Sequence, residues 1–362
     1  MSEFQIQLKT NDGQTLSFAC DPEEDLVSAA EKENIFLAAQ CHAGSCGACI
    51  AHHESGDYRL GECSTDALTA ADIAQQQVLL CRTYPQSDLM MTLPYAYSVV
   101  RFEKMPEREA EIVAKTYLTE DTVKLDLQLL PDEDESLSLD FEPGQFMEVH
   151  IPGDEAGAKR AYSLANAPNW DGSLEFLIKL RENGQFSTFL DKTAEAGMKL
   201  RLDGPMGTFM LQDHGLRPRY FVAGGCGLAS VMSMLRRMAE WDEPHPVKLF
   251  FGVWSESDIF FQQEIEALAA EYPKLEYQLC VTEPSDSWQG YRGSVVAAFE
   301  AALKAEKGKP DIYICGSPGL IEGIADVAAV CGVDRSELIY ERYLANTQPT
   351  GATRCEVVAP QS

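Results

Sequence analysis

The chain of 362 residues shows three successive patterns of apolar and polar positions. The first opens with two alternating runs, FQIQLKT and TLSFACD, on either side of Asn11-Asp12-Gly13. Alternation with a period of two is typical of half-buried strands, and an Asp-Gly pair between such runs indicates a hairpin. Apolar residues at helical spacing follow over residues 25–33, ahead of a loop rich in glycine and cysteine at 41–49. The pattern predicts a hairpin and a helix that lead into a chemically active loop.

Two further patterns follow a connector near residues 95–108. Strand-like runs begin at Ala110 and continue through VKLDLQLL, QFMEVHI, LEFLIKL and MKLRLDG, which predicts an antiparallel β-barrel. From Tyr220 the strands YFVAGG, KLFFGVW, LEYQLCV and DIYICG alternate with helical stretches, which predicts an α/β domain with a parallel sheet. We therefore predict a multidomain chain with domains at 1–98, 105–213 and 214–347 and a loose C-terminal tail at 348–362.

Composition and charge exclude some classes of function. The hydrophobic fraction of 45% is ordinary, no stretch approaches the roughly 20 apolar residues of a membrane span, and MSEFQIQLKT lacks the features of a secretory signal. A formal net charge of -28 argues against a nucleic-acid binder, which needs a basic surface. Residues 1–98 hold 14 acidic and four basic residues, a balance that can steer docking to a partner protein. We expect a cytoplasmic monomer that binds neither nucleic acid nor membrane.

Four of the 11 cysteines have the spacing of an iron–sulfur ligand set. Cys41, Cys46, Cys49 and the more distant Cys81 reproduce the plant-type C-x4-C-x2-C…C arrangement of a [2Fe–2S] cluster. Glycines between them let the loop wrap so that backbone N–H groups point at the sulfur atoms. A zinc site usually uses paired C-x2-C knuckles, and a Rieske centre needs two histidines in place of two cysteines. The spacing therefore favours the plant-type cluster over both alternatives.

A second candidate site is the segment Arg160-Ala161-Tyr162-Ser163, which follows a predicted strand and a turn. A guanidinium matches a flavin pyrophosphate, an aromatic ring stacks on an isoalloxazine, and a hydroxyl can hydrogen-bond the reactive edge of that ring. Further along, Gly184 and Ser187 open a helical stretch whose N-terminus suits a phosphate. Each feature alone is common on protein surfaces. Their combination favours a flavin site.

Two glycine-rich turns indicate a dinucleotide site. Gly224, Gly225 and Gly227 follow the strand YFVAGG and precede a helix, the context that a dinucleotide pyrophosphate needs. A second turn, Cys315-Gly316-Ser317-Pro318-Gly319, follows the strand DIYI, and ligands of open parallel sheets bind at such carboxyl ends. Glu256 follows the second strand of this region, where a carboxylate binds ribose hydroxyls and repels a 2′-phosphate. The sequence therefore favours NADH over NADPH.

In this order, the cluster loop, the R-x-Y-S segment and the two turns resemble the ferredoxin-NADP reductase superfamily with an N-terminal ferredoxin domain. Within it, LLCRTYP, FEPGQFM, PRYFVAGG and DIYICG most resemble the reductase components of soluble methane monooxygenase and related di-iron monooxygenases. Phenol hydroxylase and aromatic dioxygenase reductases are near relatives. The resemblance covers residues 1–347. It implies a β-grasp ferredoxin domain, an antiparallel β-barrel FAD domain and an α/β NADH-binding domain.

The resemblance also implies roles for individual residues. For FAD it implies contacts from Arg160, Tyr162, Ser163, Ile178, Lys179, Leu180, Gly184 and Ser187. For the nicotinamide dinucleotide it implies contacts from Gly224, Gly225, Gly227, Cys315 and Gly316. Ser163, Cys315 and Glu341 are implied at the catalytic centre, with Tyr343 closing near the flavin. Two positions depart from the family pattern, since Ser230 replaces a proline after Ala229 and Cys226 stands where a small hydroxyl residue is common. Proline at a helix start mainly fixes φ, so we expect the helix at Ser230 to form.

We therefore predict an NADH-dependent reductase component of a multicomponent di-iron monooxygenase. It moves electrons from NADH through FAD and a [2Fe–2S] cluster to the hydroxylase. A flavin must stand between the other two cofactors because nicotinamide gives two electrons together, whereas the cluster accepts one. Two alternatives remain open. One is a reductase of an aromatic-ring dioxygenase or phenol hydroxylase system, and the other is a non-catalytic iron–sulfur sensor.

Overall fold

The computed structural model describes residues 3–154 and 158–344. They form two compact units, one made chiefly of the residues up to Met105 and the other of Pro106–Tyr343. Each unit has its own hydrophobic core. Within the described residues, every helix is too short or too polar to cross a membrane. The loose tail expected at 348–362 lies outside the described residues.

The first unit contains a mixed sheet of five strands and a ribbon of two. The seven strands are β1 (Phe4–Lys9), β2 (Thr15–Cys20), β3 (Ile50–Ser55), β4 (Tyr58–Leu60), β5 (Gln77–Leu79), β6 (Thr83–Pro85) and β7 (Leu89–Thr92). The large sheet has the order β2-β1-β7-β3-β5, and β4 pairs with β6. Strands β1 and β7 run parallel at its centre, while the other neighbours are antiparallel. This is the β-grasp arrangement expected from the resemblance.

The hairpin and helix expected at the start of the first unit are confirmed. Gly13 has a φ of +86° in the turn between β1 and β2, which only glycine adopts without strain. Helix α1 (Leu26–Lys32) begins after Asp25, whose carboxylate accepts hydrogen bonds from two backbone N–H groups of the first turn. Its apolar face is buried in the core of this unit. A second short helix, α2 (Ala70–Ala74), precedes β5. The loop between α1 and β3, which holds three of the candidate cluster ligands, lies outside both helices.

The second unit begins with an antiparallel barrel. Its strands are β8 (Glu107–Tyr117), β9 (Thr122–Leu129), β10 (Phe146–His150), β11 (Lys159–Ser163), β12 (Ser173–Lys179) and β13 (Lys199–Met206). The order is β11-β10-β13-β8-β9-β12, and an antiparallel bridge between Leu164 and Phe176 joins the two end strands. Helix α3 (Gln185–Lys192) follows β12 and buries Phe186 and Leu190 in the barrel core. The barrel predicted from the alternating pattern is confirmed.

The rest of the second unit is an α/β layer structure with a parallel sheet, as predicted. Its strands are β14 (Arg219–Gly224), β15 (Val247–Val253), β16 (Leu275–Val281), β17 (Tyr291–Arg292), β18 (Asp311–Gly316) and β19 (Leu338–Arg342). Its helices are α4 (Leu228–Glu240), α5 (Gln262–Glu271), α6 (Val295–Ala305) and α7 (Pro318–Val330). The order is β17-β16-β15-β14-β18-β19, so successive strands move away from β14 first on one side and then on the other. Ligands of such sheets bind where the direction reverses, at the carboxyl ends of β14 and β18.

Candidate cofactor sites

The structure gathers the four candidate cluster ligands of the first unit. Cys41, Cys46 and Cys49 lie on the loop between α1 and β3, and Cys81 lies in a short turn directly after β5. The thiol of Cys41 contacts those of Cys46 and Cys81, and the thiol of Cys81 also contacts that of Cys49. The sulfur atoms therefore form a connected row, with Cys46 and Cys49 at its ends.

Backbone groups of the same loop point at this row of thiols. The N–H groups of Ala43 and Ser45 donate to Cys41 Sγ at 3.4 and 3.3 Å. Hydrogen bonds from Cys46 and Cys81, together with these N–H groups, lower the pKa of Cys41. The loop therefore favours a thiolate at Cys41, which is the form that binds metal.

Gly44 is the residue that lets the loop fold so tightly. Its φ is +70°, and a Cβ placed there would lie 2.7 Å from Arg82 Cγ and 2.9 Å from Cys63 Cβ. Arg82 follows the ligand Cys81, and its Nε donates to the carbonyl of Glu62 at 2.8 Å. The loop, the Glu62–Cys63 segment and the Cys81 turn thus pack together through a position that only glycine fits.

The spacing of the thiols argues against a single zinc ion. Zinc–sulfur bonds of about 2.3 Å in a tetrahedron put sulfur atoms only about 3.8 Å from one another. Among residues 3–154 and 158–344, the one set of three or more potential ligands with all atoms within 4.8 Å of one another is Glu107, His150 and Asp203. No three of the four cysteine sulfur atoms meet that spacing, and the C-x4-C-x2-C…C order favours a [2Fe–2S] cluster. In the other set, the Lys159 ammonium already contacts Asp203, so it forms an ion-pair network.

The candidate flavin residues on β11 lie on an end strand of the barrel sheet, next to the bridge to β12. Among the described residues, Arg160 forms no ion pair, and its Nη1 donates to the carbonyl of Lys159 at 2.7 Å. The ring of Tyr162 packs at 5.3 Å from that of Phe186 in α3, and burial raises the pKa of Tyr162. Ser163 at the end of the strand is buried. An unpaired guanidinium in so acidic a chain fits a phosphate, and the adjacent ring fits a flavin.

The other candidate flavin residues follow β12. Ile178 is buried in the barrel core, so its backbone rather than its side chain is available to a ligand. Lys179 pairs with Asp121 at 2.7 Å, and Leu180 packs against the barrel core. Gly184 precedes α3 with no side-chain cap, and Ser187 in the first turn accepts from the N–H of Arg181 at 2.9 Å. The free N-terminus of α3 is therefore open to a phosphate.

The two glycine-rich turns of the parallel sheet are in backbone contact. A Cβ on Gly227 would lie 2.2 Å from the carbonyl oxygen of Cys315, whereas one on Gly225, which has a φ of +53°, would meet nothing within 4 Å. Gly224 ends β14, and Gly316 ends β18. Cys226 between the glycines is buried, and burial raises the pKa of its thiol to about 12. The turns leave an open face at Gly225 for a dinucleotide and a close contact at Gly227.

Between the barrel and the parallel sheet, four predicted residues come together. Ser163 Oγ donates to Glu341 Oε2 at 3.2 Å, and Tyr343 OH donates to Ser163 Oγ at 2.7 Å. Cys315 Sγ donates to the same carboxylate oxygen at 3.6 Å. The backbone N–H of Tyr343 donates to the carbonyl of Gly316 at 2.8 Å, which extends the pairing of β18 and β19. We call Ser163, Cys315, Glu341 and Tyr343 the central cluster.

Three groups of the central cluster have raised pKa values. Burial raises the pKa of the Glu341 carboxyl to about 7, although hydrogen bonds from Ser230, Ser163 and Cys315 oppose the rise. Burial also raises the pKa values of Cys315 and Tyr343 well above their ordinary ranges. Near neutral pH, Glu341 is therefore the group of the cluster that exchanges a proton, while Cys315 and Tyr343 remain neutral donors.

Glu256 lies apart from the central cluster, in a short turn after β15. Its carboxylate accepts from the backbone N–H of Ser285 at 2.8 Å, and hydrogen bonds with Ser285 lower its pKa. The charge at this strand end is therefore kept at neutral pH. That is the property required of a group that accepts from ribose hydroxyls.

Sequence reasoning missed one contact of the central cluster. Ser230 in the first turn of α4 donates to Glu341 Oε2 at 3.1 Å, yet its sequence position suggested only a helix start. The sequence does mark the position as unusual, since a hydroxyl residue stands there in place of the family's proline. A single sequence does not show which side chains a helix start faces, so the contact was not deducible.

Comparison with known proteins agrees with this geometry. A 2Fe-2S iron-sulfur cluster binding domain matches residues 9–86, an oxidoreductase FAD-binding domain matches 109–211, and an oxidoreductase NAD-binding domain matches 221–326. Methane monooxygenase component C of Methylosinus trichosporium is 38% identical over 84% of this chain and 88% of its own. The toluate 1,2-dioxygenase electron transfer component of Pseudomonas putida is 34% identical over 92% and 97%. The chain belongs to the family of oxygenase electron-transfer reductases.

The fold of this reductase is also shared with solved structures. The ferredoxin reductase in carbazole 1,9a-dioxygenase superposes with a TM-score of 0.65 at 28% identity, covering 94% of this chain and 99% of its own. The reductase is thus an oxidoreductase with a [2Fe–2S] cluster, FAD and NAD as its cofactors, as expected from the sequence. Membership in this family replaces the sensor alternative with an electron-transfer enzyme.

Proposed function

We propose that this reductase takes electrons from NADH and delivers them to the hydroxylase component of a di-iron monooxygenase. The observation that carries the proposal is the central cluster, in which residues of a flavin domain and a nucleotide domain share hydrogen bonds. The similarity to methane monooxygenase component C supports the choice of a di-iron partner. We further expect the reductase to act as a monomer in the cytoplasm, which size-exclusion chromatography and cell fractionation test.

The residues divide the task between binding and proton handling. Bound FAD would supply hydride acceptance from NADH and release of single electrons to the cluster. A hydride is one proton and two electrons, so one proton must leave the flavin when its electrons pass singly to the cluster. The Ser163 hydroxyl donates to Glu341, and a carboxyl with a pKa of about 7 can accept that proton and release it again near neutral pH. Cys315 and Tyr343, both neutral donors, hold the carboxylate in place.

The remaining candidates bind cofactors in this proposal. Arg160 and the N-terminus of α3 take the FAD pyrophosphate, and Tyr162 stacks on the ring. The turn at Gly225 takes the NADH pyrophosphate, and Glu256 accepts from the ribose hydroxyls. The close contact of Gly227 with Cys315 holds the thiol at the edge where the nicotinamide enters.

The first experiment is an anaerobic optical titration of the purified protein with NADH. Bleaching of both flavin and iron–sulfur bands, with three electrons taken up per chain, is the expected result, because FAD accepts two and the cluster one. Intact chromophores that do not respond to NADH would overturn the proposal.

A second experiment separates the two classes of partner. The similarity to the toluate 1,2-dioxygenase component favours a Rieske dioxygenase as the alternative acceptor. We expect kcat/KM for electron delivery to be at least about tenfold higher with a di-iron hydroxylase than with a Rieske oxygenase, as the ratio measures the difference in transition-state binding. The opposite ratio assigns the reductase to dioxygenases.

The role of Ser163 has its own test. Ser163→Ala removes the hydroxyl that would hydrogen-bond the reactive edge of the flavin ring, so stopped-flow reduction of FAD by NADH should slow by about a hundredfold. The cluster spectrum should not change, because Ser163 belongs to the second unit. Ser173→Ala, at the far end of β12, is the control. An unchanged rate in Ser163→Ala would remove this residue from the mechanism.

A further inference from the structure

Ser230 occupies a place where three groups of the central cluster meet. It is fully buried in the first turn of α4. Its Oγ lies 3.1 Å from Glu341 Oε2, 3.4 Å from Tyr343 OH and 3.7 Å from Cys315 Sγ. Ser230 is the third residue of α4 and so lies inside the helix, after the capping position, which Gly227 holds without a side-chain cap. The hydroxyl of Ser230 is therefore directed at the cluster and away from its own helix end.

The direction of these hydrogen bonds follows from the chemistry of the partners. A carboxylate only accepts, so the Ser230 hydroxyl donates to Glu341. The Tyr343 hydroxyl is already committed to Ser163 at 2.7 Å, which leaves the Ser230 proton for the carboxylate. Ser163 and Ser230 thus donate to the same oxygen from two different parts of the unit, one from the barrel and one from α4.

Together with Cys315, the two serines give Glu341 Oε2 three donors. A hydrogen bond to the ionised form stabilises that form, and donors from three different elements fix the plane of the carboxyl group. The titratable groups that face Glu341 are Cys315 from β18 and Tyr343 beyond β19, and both stay neutral. Ser163 and Ser230 complete the contacts. No lysine or arginine among the described residues pairs with Glu341, so neutral donors alone keep its charge accessible.

We propose that Ser230 is a positioning residue that holds the Glu341 carboxylate and keeps it ionised at the pH at which the reductase works. This inference rests on the proposed role of Glu341 as the proton acceptor. Ser230 touches neither cofactor in this scheme and acts only through the carboxylate.

The test is the pH profile of NADH-driven cytochrome c reduction by the holoenzyme, a turnover that includes the release of the flavin proton as electrons pass to the cluster. Ser230→Ala should move the acid limb of the profile to higher pH, with a rate about tenfold lower at pH 7 and nearly normal at pH 9, since one charge-assisted hydrogen bond is lost. Ser230→Thr keeps the hydroxyl and should restore the profile. Ser233→Ala is the matched control, because this equally buried serine of α4 donates to the carbonyl of Asn166 at 2.7 Å and not to Glu341.

A second readout does not depend on turnover. Infrared titration should show the protonated carboxyl band that Glu341→Gln removes, and Ser230→Ala should shift the midpoint of that band to higher pH. A shifted band with an unshifted rate profile keeps the inference and rejects the proton role of Glu341. An unshifted band in Ser230→Ala, or an equal loss of rate at every pH in Ser230→Ala and Ser233→Ala, overturns the inference.

Discussion

The cluster loop and the central cluster both place polar groups around a reactive site, but the first uses one loop and the second uses several secondary-structure elements. Three of the four cluster ligands lie within Cys41–Cys49, and the polarity around them comes from backbone N–H groups of the same loop. In the central cluster, Ser163, Cys315 and Glu341 lie on three different strands, and Ser230 of α4 contacts the latter two from a fourth element. A local site depends on how the backbone turns, whereas a convergent site depends on the packing of whole elements. The two sites should therefore respond differently to substitution.

Removal of a cluster ligand should give the largest difference between the activities that depend on the two sites. Cys46→Ser should abolish electron delivery to an oxygenase or to cytochrome c, because the cluster is no longer held. Reduction of ferricyanide by NADH, which needs only the flavin, should remain within about twofold of the original rate, since Cys46 makes no contact in the central cluster.

The control is Cys63→Ser, a buried cysteine beside the loop that is not part of the thiol row. It should keep its iron. Loss of ferricyanide activity in Cys46→Ser would show that the two sites are not independent.

A glycine substitution tests the claim that backbone shape governs the local site. Gly44→Ala adds strain at a φ of +70° and contacts of 2.7 and 2.9 Å, which together should cost about 3 kcal/mol. Gly13→Ala has a φ of +86° with nothing within 4 Å, so it should cost only about 1 kcal/mol. The measurement is the urea concentration at which the cluster band bleaches. Equal midpoints for the two variants would contradict the packing argument.

The pH dependence of stability tests the convergent site. Because the folded pKa of Glu341 is about 7, above its ordinary 4.5, its neutral form stabilises the fold at low pH. That contribution is complete below pH 4.5 and is lost as the pH rises through 7. For a half-buried group the difference is about 2 kcal/mol after allowance for solvent screening. Urea unfolding of wild type and Glu341→Gln at pH 5 and pH 8 should show this loss in the wild type only.

The smallest expected effect concerns the choice of nucleotide. Glu256→Gln removes the charge that repels a 2′-phosphate, so the preference for NADH over NADPH, measured as a ratio of kcat/KM values, should fall about tenfold. Glu283→Gln, an exposed loop residue beyond β16, should leave the ratio unchanged. Equal ratios in all three proteins would remove Glu256 from the nucleotide site.

The contrast between the sites also explains what the sequence could predict. The spacing of Cys41, Cys46, Cys49 and Cys81 was enough to identify the cluster, because the ligand loop is local and its geometry is written in consecutive residues. The barrel and the parallel sheet were readable from the change of hydrophobic period. The hydrogen bond of Ser230 to Glu341 was not, because it joins residues 111 positions apart on elements whose approach only the packed core determines. The assignments of the flavin and nucleotide residues stay predictions.

The row of cluster ligands also affects the stability of the first unit. Cys81 lies at the end of β5, far along the chain from Cys49, so iron bound to both closes the intervening segment into a ring. Closing a ring of roughly 30 residues removes unfolded-state entropy worth about 3–4 kcal/mol on the scale used for disulfides. The cluster is then a cross-link as well as an electron carrier. The supply of iron would then set how long the first unit resists unfolding and proteolysis.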